Sequence, residues 1–171
     1  MHVTVLGAGA WGTALAASAA RRHPTRLWAR DAEQAAAMRT LRCNARYLPG
    51  IELPQALAVT ADFDAAVAHA AGGAAPDGGL IVVATPMAGL EDVLRRLPVD
   101  GRCGVTWLCK GFQQTTGRLG HEVARAACPA ARVGVISGPS FAVEVARGQP
   151  TALVAASADA EIGRASCRER V

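Results

Sequence analysis

The segment Gly7-Ala8-Gly9-Ala10-Trp11-Gly12 constrains this chain more than any other feature. It follows a short apolar run, Val3 to Leu6, and precedes an alanine-rich stretch from Ala10 to Arg22 of helical composition. Between a strand and a helix, glycines at this spacing meet three separate steric demands. Gly7 permits a tight turn, Gly9 lets the main chain approach a bound group, and Gly12 lets the helix pack closely on the strand. Amides near Ala10 and Trp11 then face outward at the helix N-terminus, where aligned peptide dipoles stabilise negative charge. A second strand at Arg26 to Ala29 completes a βαβ unit of about 30 residues. The competing reading, glycines serving packing alone, does not need both flanks to be correct. The segment therefore predicts a loop for the pyrophosphate of a dinucleotide, and a nicotinamide cofactor as its ligand.

The rest of the chain repeats the alternation of apolar runs and alanine-rich helices that builds a parallel sheet covered on both faces. Strands are expected at Leu57 to Thr60, Leu80 to Ala84, Cys103 to Leu108 and Val133 to Ile136, with a last apolar run from Thr151 to Ala155. Helices are expected at Asp62 to Ala71, Met87 to Leu97 and Arg118 to Ala127, with a short one reaching Ala146. Asp31 reads as the N-cap of a further helix ending near Leu41, with Gln34 reaching back to the Asp31 amide in a capping box. Two prolines and a glycine make Asn44 to Pro54 a loop, and residues 72–79 read as a flexible surface linker within the domain. The expectation is an α/β, Rossmann-like domain over residues 1–162. Residues 163–171 turn abruptly polar and arginine-rich without apolar periodicity, and read as a non-native or disordered tail.

Composition narrows the function. No window approaches the ~18 uninterrupted apolar residues of a membrane span, and Met1 leads straight into a strand pattern without a basic leader. The expectation is a cytoplasmic protein with no membrane partner. The net charge of +4 comes from scattered basic residues, and aromatics are 4%. That pattern disfavours nucleic acid and suits a phosphorylated small molecule. Five cysteines without C-x-x-C spacing give no metal site. His2, His23, His69 and His121 fall at element edges or exposed helix positions and read as solvated.

Other residues suit the same ligand class. Arg30 stands at the end of the second strand, where an acidic residue usually meets the ribose hydroxyl, and a guanidinium there suits a 2′-phosphate. That favours NADP, while the adjacent Asp31 leaves NAD open. Lys110, just after the strand ending near Cys109, lies at the carboxyl edge of the sheet, where a fixed cation neutralises phosphate or polarises a carbonyl. Ser137-Gly138-Pro139-Ser140 repeats the logic one strand later, a turn opening a helix toward an anion. Its plainer reading is a helix start capped by Ser137 or Ser140.

Four segments together resemble the amino-terminal part of the bacterial NAD(P)-dependent glycerol-3-phosphate dehydrogenases: the glycine loop continued through Thr13-Ala14-Leu15-Ala16, Cys43 to Gly50, Cys109-Lys110-Gly111, and Ser137 to Ala142 continuing through Glu144 to Ala152. The resemblance implies hydride exchange between dihydroxyacetone phosphate and sn-glycerol 3-phosphate with NAD or NADP, a step supplying phospholipid synthesis, in an enzyme that is a homodimer at full length. It implies cofactor contacts at Gly7, Gly9, Ala10, Trp11, Gly12, Arg30 and Ala142, a shared cofactor and substrate contact at Lys110, and substrate contacts at Gly138 and Ser140. It also implies an all-helical second domain that holds the catalytic lysine and is lacking here, so that no catalytic residue lies in these residues and the chain as given is inactive. The alternatives are another Rossmann dehydrogenase with a helical second domain, or a nucleotide-binding module without chemistry.

Overall fold

A computed structural model describes residues 1–72, 78–98 and 103–158. In chain order its elements are β1 (Val3–Leu6), α1 (Ala10–Ala19), β2 (Thr25–Trp28), α2 (Ala32–Leu41), β3 (Cys43–Asn44), β4 (Leu48–Glu52), β5 (Leu57–Thr60) and α3 (Phe63–Ala71). Then follow β6 (Leu80–Val83), α4 (Leu90–Arg96), β7 (Gly104–Trp107), α5 (Gly120–Ala127), β8 (Arg132–Ser137), α6 (Ala142–Ala146) and β9 (Val154–Ser157). Seven strands form one sheet in the order β5-β2-β1-β6-β7-β8-β9. Every pair is parallel except β8 with β9, which is antiparallel. The result is the Rossmann-like, mostly parallel architecture expected.

Both faces of the sheet are buried, and consecutive residues serve opposite faces. Leu6, Val83 and Trp107 join Phe63, Leu90, Leu94 and Val123 under α3, α4 and α5. Val5, Leu27 and Val82 instead join Ala16, Ala17, Ala35 and Met38 under α1 and α2. A strand buried on both sides reads as a continuous apolar run, as β1 and β6 do. A third, smaller cluster packs α6 and the β3–β4 hairpin on α1 through Ala14, Leu48, Ile51, Ala142 and Val145.

The register sets up the site. Trp28, Leu6, Val83, Trp107 and Val135 lie in one row across five parallel strands. The next residues along each strand therefore emerge together on one edge. Strand order reverses direction between β1 and β6, and such a switch point opens a crevice at the carboxyl ends.

Several expectations shift. Asn44 to Pro54 is not a loop: β3 and β4 form an antiparallel hairpin with an irregular register at Cys43 and Asn44. Pro49 and Gly50 are exposed, and Gly50 takes φ +73, so both are tolerated in a two-stranded ribbon with free edges. The helix from Met87 begins as a 3-10 turn over Met87–Gly89 and becomes α-helical at Leu90. The helix expected from Arg118 begins at Gly120, because Leu119 bridges back to Phe112. Residues 73–77 of the expected linker and the tail at 163–171 lie outside the described residues. No helix among the described residues is long and apolar enough to cross a membrane.

Candidate functional site

The glycine loop leaves the end of β1 and turns at once into α1. Gly7 has φ +127, and a Cβ there would stand 2.8 Å from the Ala84 carbonyl carbon and oxygen of β6's end. A Cβ on Gly12 would lie 1.9 Å from the Gly7 carbonyl oxygen and 2.9 Å from the Ala84 Cβ. Both glycines are thus steric requirements of the crossing of α1 over the sheet. Gly9 differs, for a Cβ there would meet nothing within 4 Å. Its backbone is extended at φ −74 and ψ −176, open to any residue, so the fold itself does not demand glycine at this position.

Gly9 caps α1 without a side-chain bond, and no acidic residue stands in the first turn. The first helical hydrogen bond runs from the Thr13 amide to the Gly9 carbonyl at 3.0 Å, so the amides of Ala10, Trp11 and Gly12 have no partner within the helix. Three outward N–H groups beside an empty Cβ position suit a diphosphate, which needs donors and close main-chain approach. The Thr85 hydroxyl, just past β6, is buried without a hydrogen-bond partner among the described residues; a Cβ on Gly89 would stand 3.5 Å from it.

The loop is braced from below. The Ala8 carbonyl accepts from Gln34 Nε2 at 2.9 Å and from Asn44 Nδ2 at 3.0 Å. Asn44 Nδ2 also donates to Thr13 Oγ1 at 2.7 Å, while Asn44 Oδ1 accepts from the Tyr47 amide at 3.2 Å. Gln34 therefore does not close a capping box on Asp31. Asp31 does cap α2, its Oδ1 accepting from the Glu33 and Gln34 amides at 2.9 and 3.3 Å. Asn44 fell within a resembling segment without an assigned role. Its function as brace has no local signal, because its partners lie 31 and 36 residues away.

Arg30 is exposed at the carboxyl end of β2, next to the glycine loop's strand. Trp11 and Ala10 are half-buried against the cluster that contains Ala142, so three of the expected cofactor contacts share one patch at the start of α1 and α6.

Lys110, Gly138 and Ser140 form a second group at the ends of β7 and β8. Lys110 Nζ donates to the Gly138 carbonyl at 3.1 Å. A Cβ at Gly138 would come within 2.3 Å of the Ala152 carbonyl oxygen, so the segment leading into β9 packs closely on this turn. Ser140 Oγ donates to the Ala152 carbonyl and accepts from the Ala152 amide, both at 3.1 Å. Neither serine caps α6. The helix begins at Ala142, and the Phe141 amide donates to Glu144 Oε2 at 2.8 Å. Ser140 thus holds the 150–153 segment, with one lone pair left for a ligand.

The thiols and imidazoles stand apart from this edge or are muted. Burial pushes the Cys109 thiol up to about 11, and its sulfur lies 3.7 Å from Met87 Sδ. No group of three metal-ligating side chains occurs among the described residues. His121 is exposed as expected, but His2 and His69 are half-buried and stacked, their rings 4.6 Å apart and 18° from parallel. His2 Nδ1 bonds the His69 carbonyl at 2.9 Å, and His69 Nε2 the Pro24 carbonyl at 3.2 Å.

A doubly wound sheet with a glycine-shaped cradle at its switch point defines an α/β domain of the Rossmann class. The family profile described as NAD-dependent glycerol-3-phosphate dehydrogenase N-terminus matches residues 2–163. The chain is 66% identical over 159 residues to a glycerol-3-phosphate dehydrogenase, NAD(P)+, of Methylibium petroleiphilum, covering 93% of this chain and 46% of that protein. The same-named protein of Leptothrix cholodnii is 54% identical, with 98% and 51% covered. The crystal structure of glycerol-3-phosphate dehydrogenase from Coxiella burnetii superposes with a TM-score of 0.85 at 31% identity, over 98% of this chain and 50% of that one. The chain belongs to the NAD-dependent glycerol-3-phosphate dehydrogenase amino-terminal family, and it spans about half the length of the curated relatives it matches.

Proposed function

We propose that residues 1–162 are the cofactor-binding unit of an enzyme that interconverts dihydroxyacetone phosphate and sn-glycerol 3-phosphate with NAD(P)H. The observation that carries this reading is the cradle at Gly9, open above a helix N-terminus whose first amides are unpartnered, in a chain of this family. The cofactor, when bound, supplies a hydride to the ketone carbon of dihydroxyacetone phosphate, and the oxygen gains a proton. The chain's own residues bind and orient. Gly7, Gly9, Ala10, Trp11 and Gly12 hold the pyrophosphate edge, and Ala142 supports Trp11 from α6. Lys110, held toward Gly138, offers the ammonium that both a cofactor phosphate and the substrate phosphate can meet, with Gly138 and Ser140 lining the substrate side. Arg30 faces the adenosine ribose. Because Asp31 Oδ1 is engaged in capping α2, the guanidinium dominates there and favours the 2′-phosphate of NADP.

These 171 residues by themselves bind nucleotide weakly at best and do not turn over. The reaction, homodimer formation and a cytoplasmic setting belong to the longer protein that the relatives exemplify. The test is a titration of the chain with NADPH and with NADH, followed by tryptophan fluorescence, with Arg30 intact and with Arg30→Ala. The expected result is tighter NADPH binding that Arg30→Ala weakens by about tenfold or more, the scale of a charge-assisted phosphate contact, while NADH changes little. Equal effects on both coenzymes contradict the assignment of Arg30.

A further inference from the structure

Lys110 is the only lysine in the chain, and arginine fills every other position of that charge type. A compact ammonium is useful only where its stem is held, since a free lysine side chain samples many rotamers and makes no fixed fork. Upstream, the strand fixes it: the Leu108 amide donates to the Val83 carbonyl at 2.9 Å. Downstream, the chain turns sharply at Gly111, with φ +90, and enters a small hairpin closed by the bridge between Phe112 and Leu119.

That hairpin is pinned by one side chain. Gln113, a polar residue only 9% exposed, donates from Nε2 to Glu91 Oε2 at 2.7 Å and accepts at Oε1 from the Thr116 hydroxyl at 2.5 Å. Its amide donates to the Arg118 carbonyl at 2.8 Å, and its carbonyl accepts from the Gly117 amide at 2.8 Å. Glu91 sits in the first turn of α4, and its other oxygen accepts from Arg95 Nε and Nη2 at 3.1 and 2.6 Å. A buried amide with donor and acceptor both satisfied fixes its surroundings, whereas leaving one unsatisfied incurs the full desolvation penalty of that group. We propose that Glu91 and Gln113 are positioning residues for Lys110: they tie the 111–119 hairpin to α4, so that Lys110 is clamped between that anchor and the sheet with its ammonium held at Gly138.

The proposal rests on the reading of Lys110 as a ligand contact for its use, but not for its geometry. The Glu91 carboxyl is held below its ordinary value, first by the Gln113 hydrogen bond and then by Arg95, which agrees with an anchor that stays charged at neutral pH.

Reductive methylation with 13C-formaldehyde gives one lysine side-chain signal in this chain, that of Lys110. Gln113→Ala and Glu91→Ala are expected to raise its methylation rate by about three- to tenfold, the effect of one lost hydrogen bond. Glu91→Gln, which keeps an acceptor for Gln113, is expected to stay at the wild-type rate. Thr116→Val replaces Gln113→Ala if the latter does not melt cooperatively. In parallel, NADPH affinity is measured for Lys110→Ala, Gln113→Ala and the double variant. The double is expected to bind no more weakly than Lys110→Ala alone. Unchanged methylation in the alanine variants overturns the proposal, and so do affinity losses that add. A wild-type chain that fails to bind NADPH contradicts the cofactor reading instead, and the methylation rates still decide the clamp.

Discussion

A Cβ on Gly12 would stand 1.9 Å from the carbonyl oxygen of Gly7, so the first turn of α1 crosses the end of β1 with no room for a side chain. Gly12→Ala must push the helix off the sheet or distort the turn. The expected loss is about 1–3 kcal/mol, as for other overpacked interiors, read as a lower midpoint in urea unfolding. A midpoint equal to wild type contradicts the steric account of this crossing.

Asn44 holds the underside of the same loop. Asn44→Ala removes a donor to Ala8 and to Thr13 together, leaving a buried hydroxyl unsatisfied, and should cost about 1–3 kcal/mol. Gln34→Ala should cost less, since the Ala8 carbonyl keeps its bond from Asn44. The two effects should not add, because the residues share one acceptor. A double variant whose loss equals the sum of the singles counts against a shared brace.

Much of this was legible in sequence because it is local. The spacing of Gly7, Gly9 and Gly12 and the apolar runs of β1 and β6 need no tertiary partner to be interpreted. What escaped were residues whose roles come from distant chain. Asn44 and Gln34 meet at Ala8 from different elements. His2 and His69 stack across 67 positions. Ser137 or Ser140 as a cap was the plainer reading of that turn, but Ser140 bonds Ala152, just before β9, while Glu144 takes the capping role. The hairpin at β3 and β4 was obscured by Pro49 and Gly50, whose breaking effect applies to central strands and not to a two-stranded ribbon.

The stacked imidazoles predict a pH dependence. The His69 pKa is held below its ordinary 6.5, first by burial and also by the charges of Arg26 and His2, against a raising bond to Pro24. With the folded value depressed, the unfolded chain takes up the proton first as pH falls. Stability from this site is full above 6.5 and declines below it until the folded value is passed. Thermal melts across that range should show a decline that His69→Gln reduces, and an identical profile in the variant contradicts it.

Cys109 should be slow toward alkylating agents. With its thiol pushed up to about 11, only about one molecule in a thousand is thiolate near pH 8. Iodoacetamide labelling mapped by mass spectrometry should find Cys109 far slower than free cysteine at that pH and accelerating on denaturation. Equal rates in folded and denatured chain contradict the burial of this sulfur.

Gly9 separates folding from ligand binding. Its φ and ψ suit any residue and nothing lies within 4 Å of its Cβ position, so the fold accepts a Cβ there, and a valine side chain would occupy the space assigned to a pyrophosphate. The decisive measurement is NADPH affinity and thermal midpoint for wild type and Gly9→Val side by side. The account predicts a stability loss of no more than about 1 kcal/mol, the difference between glycine and valine as a helix N-cap, together with loss of at least about tenfold in affinity. A Gly9→Val chain that binds NADPH as wild type does would place the cofactor elsewhere and contradict the central claim.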